Sequence, residues 1–376
     1  MQLRTLTVLG LLTLLHTYIG LRLLPVMPVS FTVQIVAVLW LAASVVLILA
    51  GLLSYAIRRQ PLADRVAWAG LLALGMFSSL LVLTLLRDIV LLVAAICGWH
   101  DSVLLAASAA AVPLLAAVVT AIGFINARRV ARVVDVEVPI ADLPHALHGF
   151  TIAQISDIHV GPTIKRGYLD AIVERVNALH ADVVAVTGDL VDGSVQHLAP
   201  HTAPLARLKA RHGAYFVTGN HEYYSNAHAW IAEVRRLGLY VLMNEHVVLA
   251  HEGAALLLAG VTDYSAHHFD PAHKSDPHRA VAGAPDDVAV KVLLAHQPRT
   301  AAAAVDAGFD LQLSGHTHGG QFLPWNFFVP MQQPYTAGLN RLGRLWVYTS
   351  RGTGYWGPPK RFGAPSEITR IRLVRA

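Results

Sequence analysis

Apolar residues are spread unevenly along the chain. Before Ala127 they form long unbroken stretches, and after it they come in short runs separated by polar turns. Segments 6–21, 33–57, 66–86 and 103–125 are each close to the ~20 residues that a helix needs to cross a bilayer. The alternative for any one of them is a buried core helix, but four in succession ahead of a complete soluble region argue for spans. The first is the shortest and is trimmed by Arg22. With only Arg4 ahead of it and no small-x-small site after Pro25, it reads as a span rather than a cleaved signal peptide. Pro113 in the fourth predicts a kink rather than a break, because bilayer helices tolerate proline. Residues 89–97 continue the apolar character past Arg87-Asp88 and form either an interfacial turn or the end of a longer third helix.

The arginines set an orientation. With a cytoplasmic N-terminus, Arg4, Arg58, Arg59, Arg65, Arg128, Arg129 and Arg132 fall inside, and only Arg22 and Arg87 fall outside. That bias predicts four spans and a cytoplasmic C-terminal region. The domain division expected is 1–126 for a transmembrane helical domain, 127–148 for a linker and edge strand, and 149–376 for a soluble domain.

Past Arg128-Arg129 the periodicity changes. Residues 133–140 alternate apolar positions with Asp135 and Glu137, as a half-buried edge strand does. Runs at 150–155, 183–187, 215–218, 256–261, 290–295 and 311–313 read as buried strands, and 368–374 closes the chain as another alternating one. Amphipathic helices are expected over 165–180, 203–211 and 227–237, and a hairpin-like piece over 247–258. Strand–helix alternation of this kind predicts an α/β domain with stacked sheets.

Composition changes the picture little. The chain of 376 residues is 55% hydrophobic and 14% charged, too apolar for one soluble domain, and the excess lies in the first third. Cys97 is the single cysteine, so no disulfide framework forms within the chain. A net charge of +5 suits a membrane surface or an anionic substrate. No basic run interleaved with aromatics and no nucleic-acid module is visible, so no nucleic-acid partner is expected.

The candidate chemistry sits at the C-terminal ends of the apolar runs. Asp157-x-His159, Gly188-Asp189, Gly219-Asn220-His221-Glu222, Ala295-His296 and Gly315-His316-Thr317-His318 each follow one. Carboxylate, amide and imidazole donors without a thiolate suit Mn²⁺, Fe²⁺ or Zn²⁺. Two such ions ~4 Å apart can hold both the attacking and the leaving oxygen of a phosphoryl displacement. Asp189 is the natural bridging carboxylate. Asp157 and His159, two apart, would share one face if they lay in a strand. His221 is placed to act as a general acid on the leaving group or to steady phosphate charge.

In order and spacing these blocks resemble the calcineurin-like metallophosphoesterase family, over roughly 150–376. The resemblance implies a four-layer α/β/β/α sandwich with the site at the strand ends. It implies one metal held by Asp157, His159, Asp189 and His318, a second held by Asp189, Asn220, His296 and His316, and His221 as the catalytic histidine. Manganese is the favoured ion. The apolar anchor and the tail Ser350-Arg351-Gly352-Thr353-Gly354-Tyr355-Trp356-Gly357 look like the membrane-anchored YkuE/YaeI-type phosphodiesterases within that family. Gly188-Asp189 continues as Leu190-Val191-Asp192-Gly193, without the arginine that the family's protein phosphatases carry, which argues against that class.

The expected activity is phosphodiester or pyrophosphate hydrolysis at the inner membrane of a bacterium, on a lipid-linked substrate such as UDP-2,3-diacylglucosamine. The alternative is a transport or signalling membrane protein with a regulatory metal-binding domain. The sequence says nothing of the oligomeric state. Other residues carry two readings each. The histidines of loop 263–285 belong to a substrate lid or a solvated loop, and His197, His201, His212 and His228 read as surface groups. Asp263 is either a turn residue or a support for the ligands. Trp325, Phe327, Phe328, Tyr355 and Trp356 line an acyl groove, meet the membrane interface or pack the core. Arg351, Lys360 and Arg361 pair with substrate phosphate, bind lipid headgroups or solubilise the edge.

Overall fold

In the computed structural model of the protein, residues 2–57, 59–99 and 101–376 are described; Arg58, counted above in the arginine bias, lies outside them. The four apolar stretches form α1 (Gln2–Leu23), α2 (Phe31–Leu52), α3 (Leu62–Ile96) and α4 (Ser102–Arg128), all long and apolar enough to cross a membrane. Residues 89–96 extend α3, so the longer-helix alternative holds. Arg87 and Asp88 do not break the helix because both are paired. Asp88 accepts from the Tyr18 hydroxyl at 2.7 Å and from Arg22 at 2.7 and 3.0 Å, while Arg87 donates to Ser108 Oγ and the Leu105 carbonyl, each at 3.0 Å. Pro113 sits inside α4 without ending it. Helices α2 and α3 touch through glycine: a Cβ at Gly70 would lie 2.4 Å from the Leu47 carbonyl oxygen. Small residues at a helix crossing allow this approach.

The chain forms two compact units, Met1–Arg128 with Gly357–Lys360, and Arg129–Trp356 with Arg361–Ala376. In the first, Lys360 Nζ donates to the Gly75 carbonyl at 2.9 Å and also to Ser79 Oγ. That side chain is therefore committed to helix α3 rather than to a substrate phosphate.

The second unit contains strands β1 (Arg132–Ile140), β2 (Thr151–Ile155), β3 (Val183–Val186), β4 (Ala214–Phe216), β5 (Tyr240–Val241), β6 (Glu245–His251), β7 (Ala254–Gly260), β8 (Val290–Leu294), β9 (Leu311–Ser314), β10 (Gly338–Leu342), β11 (Leu345–Thr349) and β12 (Glu367–Arg375). They make two six-stranded sheets, ordered β1-β12-β2-β3-β4-β5 and β10-β11-β9-β8-β7-β6. The period-two pattern explains the layering. Leu256 and Leu258 face the first sheet's Ile152, Val183, Ala185 and Ile371 in one buried core. Leu257 and Ala259, pointing the other way, join Ala280, Ala301 and Ala304 of the short helices α9 (Pro277–Val281) and α10 (Ala301–Asp306), whose lengths conceal them in the sequence. A helical layer of α5 (Arg166–Asn177), α6 (Val195–Thr202) and α8 (Ala227–Arg236) lies beside β5, and α7 (Asn220–Tyr224) precedes α8. The expected mixed α/β sandwich behind apolar helices is the fold.

The helix expected over 203–211 lies earlier in the chain. Its α-helical part is α6, which gives way to a 3-10 turn over Ala203–Arg207, where Pro204 has no N–H for the helical ladder. The hairpin β10–β11, turning at Gly343 and pairing Leu342 with Leu345, and the two-residue β5 were not expected. Strands β2, β3 and β4 run parallel, as do β7, β8 and β9. Their carboxyl ends therefore open on one edge of each sheet, the usual place for a ligand in such sheets.

Candidate metal centre

Every residue singled out for metal binding follows a strand. Asp157 and His159 follow β2, Asp189 follows β3, Asn220 follows β4 and opens α7, His296 follows β8, and His316 and His318 follow β9. Asp157 and His159 do not sit in a strand as expected. Both lie just past it at φ of 54° and 55°, and Asp189, His316 and His318 share the left-handed region at 51°, 70° and 51°. Such conformations are uncommon even for Asp and His, and each costs roughly 1–2 kcal/mol. Strain concentrated on one constellation is typical of functional sites.

The side chains converge in overlapping groups. Asp157, His159 and His318 form one, Asp189, His296 and His316 another, and His159, Asp189 and His221 a third that links them, each with its ligand atoms within 4.8 Å of one another. His159 Nε2 lies 3.0 Å from His318 Nε2, and His318 Nε2 lies 3.5 Å from Asp157 Oδ1. His296 Nε2 lies 3.2 Å from Asp189 Oδ2 and 3.2 Å from His316 Nδ1. Asp189 Oδ2 also lies 3.9 Å from His159 Nε2, so one carboxylate oxygen stands between the two groups. Asn220 Oδ1 is buried with no hydrogen-bond partner. An orphaned amide oxygen beside converging imidazoles is what a cation site looks like when its donors are counted.

Glycines permit this density. A Cβ at Gly219 would sit 2.2 Å from Asp189 Oδ1, and one at Gly315 would sit 2.1 Å from Asp157 Oδ2. The backbone also aims the carboxylates: the N–H of His221 donates to Asp189 Oδ1 at 2.8 Å, and that of His316 donates to Asp157 at 2.9 and 3.1 Å. Glu222, fully buried, accepts from Gly219, Asp189 and Leu190 N–H at 2.6, 3.0 and 2.7 Å and so holds the β3 and β4 turns together.

Charge is distributed unequally. Burial raises Asp157, and the negative charge of Asp189 adds to that against the opposing pull of His296. Burial works against ionisation of Asp189 too, but His296 and His221 together hold it well below the usual carboxylate range. Burial lowers His316 to about 3 and, with Arg361, takes His318 well below the ordinary histidine value, so both present neutral nitrogens. Burial opposes protonation of His221, yet Asp189 and Asp192 raise it to about 9.

Asp192 and Arg361 were not picked out as site residues. Asp192 Oδ1 accepts from His159 Nδ1 at 2.9 Å and from His221 Nδ1 at 2.6 Å, orienting both rings. Its signal was the Gly188-Asp189-x-x-Asp192 spacing. The buried Arg361 donates to His318 Nδ1 at 3.1 Å and to the His318 carbonyl at 2.9 Å, so it is neither an edge group nor a free phosphate ligand. Arg351 pairs with Glu367 at 3.0 Å. Asp263 accepts from Ser265 N–H at 2.8 Å and from Gln297 Nε2 at 3.0 Å, serving both as a turn cap and as a buttress for the residue after His296. Tyr355 is a core residue, whereas Trp325, Phe327, Phe328 and Trp356 are exposed, and Trp356 meets the edge of His221 at 5.6 Å. A surface cavity of about 540 Å³ lined by Pro139, Lys291, Asp310, Arg341, Arg344 and Trp346 shares no residue with the cluster. The chemistry follows the convergent donors, not that volume.

Residues 150–320 match the family described as calcineurin-like phosphoesterase. The uncharacterized metallophosphoesterase YkuE of Bacillus subtilis (strain 168) is 30% identical over 241 residues, 61% of this chain and 81% of that protein. The chain belongs to the calcineurin-like phosphoesterase family. Two further relatives, from Danio rerio and Bos taurus, are each named transmembrane protein with metallophosphoesterase domain. They are 38% and 40% identical over 271 and 280 residues, which cover 70% of this chain in both cases and 62% and 63% of theirs. The chain thus spans about three-fifths of the length of those two relatives. It is a membrane-associated calcineurin-like metallophosphoesterase, with apolar helices preceding the phosphoesterase domain.

Proposed function

We propose that the protein hydrolyses a phosphodiester or pyrophosphate with two divalent ions, on a lipid-linked substrate at the membrane. The observation that carries this is Asp189 Oδ2, 3.2 Å from His296 Nε2 and 3.9 Å from His159 Nε2, between two groups of carboxylate and imidazole side chains. Asp157, His159, Asp189 and His318 would hold one ion, and Asp189, Asn220, His296 and His316 the other. Manganese suits this oxygen and imidazole set. Ions so held would supply Lewis acidity at the phosphoryl group.

The chain's own groups do the rest. His221, protonated at neutral pH and anchored through Nδ1 on Asp192, presents Nε2 as the proton donor to the leaving oxygen. Glu222 keeps the turns that carry Asp189 and Asn220 in register. Trp356 and the exposed Trp325, Phe327 and Phe328 offer apolar surface for acyl chains. We place the helices in the inner membrane of a bacterium, and their arginine bias favours a cytoplasmic phosphoesterase domain.

The test is mass-spectrometric turnover of UDP-2,3-diacylglucosamine by the full-length protein in detergent with Mn²⁺, beside Asp189→Asn. Release of UMP and the lipid monophosphate by the wild type alone is the expected result. Hydrolysis of a generic phosphodiester without turnover of this lipid would discard the lipid and keep the reaction class. No hydrolysis of either would overturn the reading.

A further inference from the structure

A second place in the phosphoesterase domain gathers metal-binding side chains. His228, in the first turn of α8, meets Asp270 and His273 of the loop that follows β7, and their ligand atoms lie within 4.8 Å of one another. We infer that His228, Asp270 and His273 form an accessory Zn²⁺ site, separate from the catalytic cluster, that ties this loop to α8.

The distances match the ion. Zn²⁺ bonds to imidazole nitrogen and carboxylate oxygen at about 2.0–2.1 Å in a tetrahedron, whose ligand atoms are then about 3.3 Å apart. His228 Nε2 is 3.0 Å from Asp270 Oδ2, and His273 Nε2 is 3.8 Å from the same oxygen, bracketing that edge. The catalytic cluster spaces its own ligand pairs by 3.0 to 3.9 Å. Three protein ligands and a water complete four-coordination.

Asp270 and His273 are also held from behind, as ligands of structural metals are. His273 Nδ1 contacts the Tyr223 hydroxyl at 3.0 Å, and donation of its N–H to that oxygen leaves Nε2 with its lone pair toward the cluster. Asp270 Oδ1 is taken by the Ala272 N–H at 2.9 Å, which leaves Oδ2 for the ion. The Asn226 side chain caps α8 by accepting from Ala229 N–H at 3.3 Å, fixing the turn that carries His228. The site adjoins the reaction centre: Phe269 of the loop packs on Tyr224 at 5.6 Å, and Tyr224 meets the edge of His221 at 5.1 Å.

The experiment measures zinc per chain in full-length protein, purified in detergent through a tag without histidine, stripped with chelator and dialysed against Zn²⁺. His228→Ala and His273→Ala are compared with the wild type. The His228 side chain is 69% exposed, so His228→Ala leaves folding untouched. The expected result is the loss of one zinc per chain in both variants, whatever number the catalytic cluster retains. Asp189→Asn, in contrast, retains this zinc and loses it only on addition of His228→Ala. Equal zinc content in the wild type and His228→Ala overturns the site and leaves a hydrogen-bonded His–Asp–His surface cluster. That outcome is independent of whether the catalytic residues bind metal.

Discussion

The helical unit and the phosphoesterase unit both bury polar side chains, and they arrange them in opposite ways. Among the helices, His16 places Nδ1 against the Leu12 carbonyl at 2.8 Å and Nε2 against Ser44 Oγ at 3.1 Å. Arg87 is bonded to Ser108, to the carbonyls of Leu105 and Arg22, and to Asp88. These groups are closed on one another. In the phosphoesterase unit the polar groups are left open: carboxylates and imidazoles crowd within 4.8 Å of one another, and the buried Asn220 Oδ1 has no hydrogen-bond partner. Closed polar burial holds helices together, whereas open polar burial calls for a positively charged third body. The comparison also weighs against a transporting role for the helices, because a conduction path needs intramembrane polar groups that are available to a substrate.

The largest expected effect is from Asp189→Asn, which removes the oxygen between the two groups and takes metal-dependent hydrolysis to background. Preserved circular dichroism and membrane insertion would show that the loss is chemical. His221→Ala comes next, with a fall of about 10²–10⁴-fold in kcat, the usual worth of a positioned general acid. Although burial opposes protonation, Asp189 and Asp192 raise its pKa above the ordinary histidine value, and Asp192 does so whether or not Asp189 is shared with an ion. The protonated form is the active one, so the rate is level near neutrality and falls on the alkaline side. In His221→Ala that alkaline limb disappears. Asp192→Asn costs about 10–100-fold, as loss of a ligand's supporting partner does. It also moves the alkaline limb to lower pH, since Asp192 is one of the charges that raise His221. The smallest effect is from His16→Leu, which changes turnover by no more than about twofold while costing about 1 kcal/mol in lost hydrogen bonding. A large loss of kcat in folded His16→Leu would break the contrast between the two units.

The cluster of candidate ligands was legible in the sequence because each residue follows an apolar run, and an apolar run followed by Asp, Asn or His marks a strand whose polar tip opens on a sheet edge. What could not be read was everything that depends on one loop meeting another. The spacing from Asp189 places Asp192 near the site, but it does not say that one carboxylate oxygen meets the rings of both His159 and His221. Arg361 looks like an edge cation until Gly354 and His318 are seen around it. His228, Asp270 and His273 are ordinary surface residues in one dimension, forty residues apart or more at the extremes of the group. The same limit hid the β10–β11 hairpin, because β10 is short and partly polar and gives the apolar run of β11 no visible partner. It also misplaced the helix after residue 194, where Pro200 and Pro204 blur the helical period. The left-handed backbone at Asp157 and His159 was equally invisible, since neither residue announces it as glycine would.

The most direct measurement is hydrolysis of bis(p-nitrophenyl) phosphate by full-length protein in detergent, first stripped with chelator and then resupplied with Mn²⁺, with Asp189→Asn alongside. The account predicts no hydrolysis after stripping, recovery on adding Mn²⁺, and no recovery in Asp189→Asn. Undiminished hydrolysis by the stripped wild type, or full recovery in folded Asp189→Asn, would contradict it.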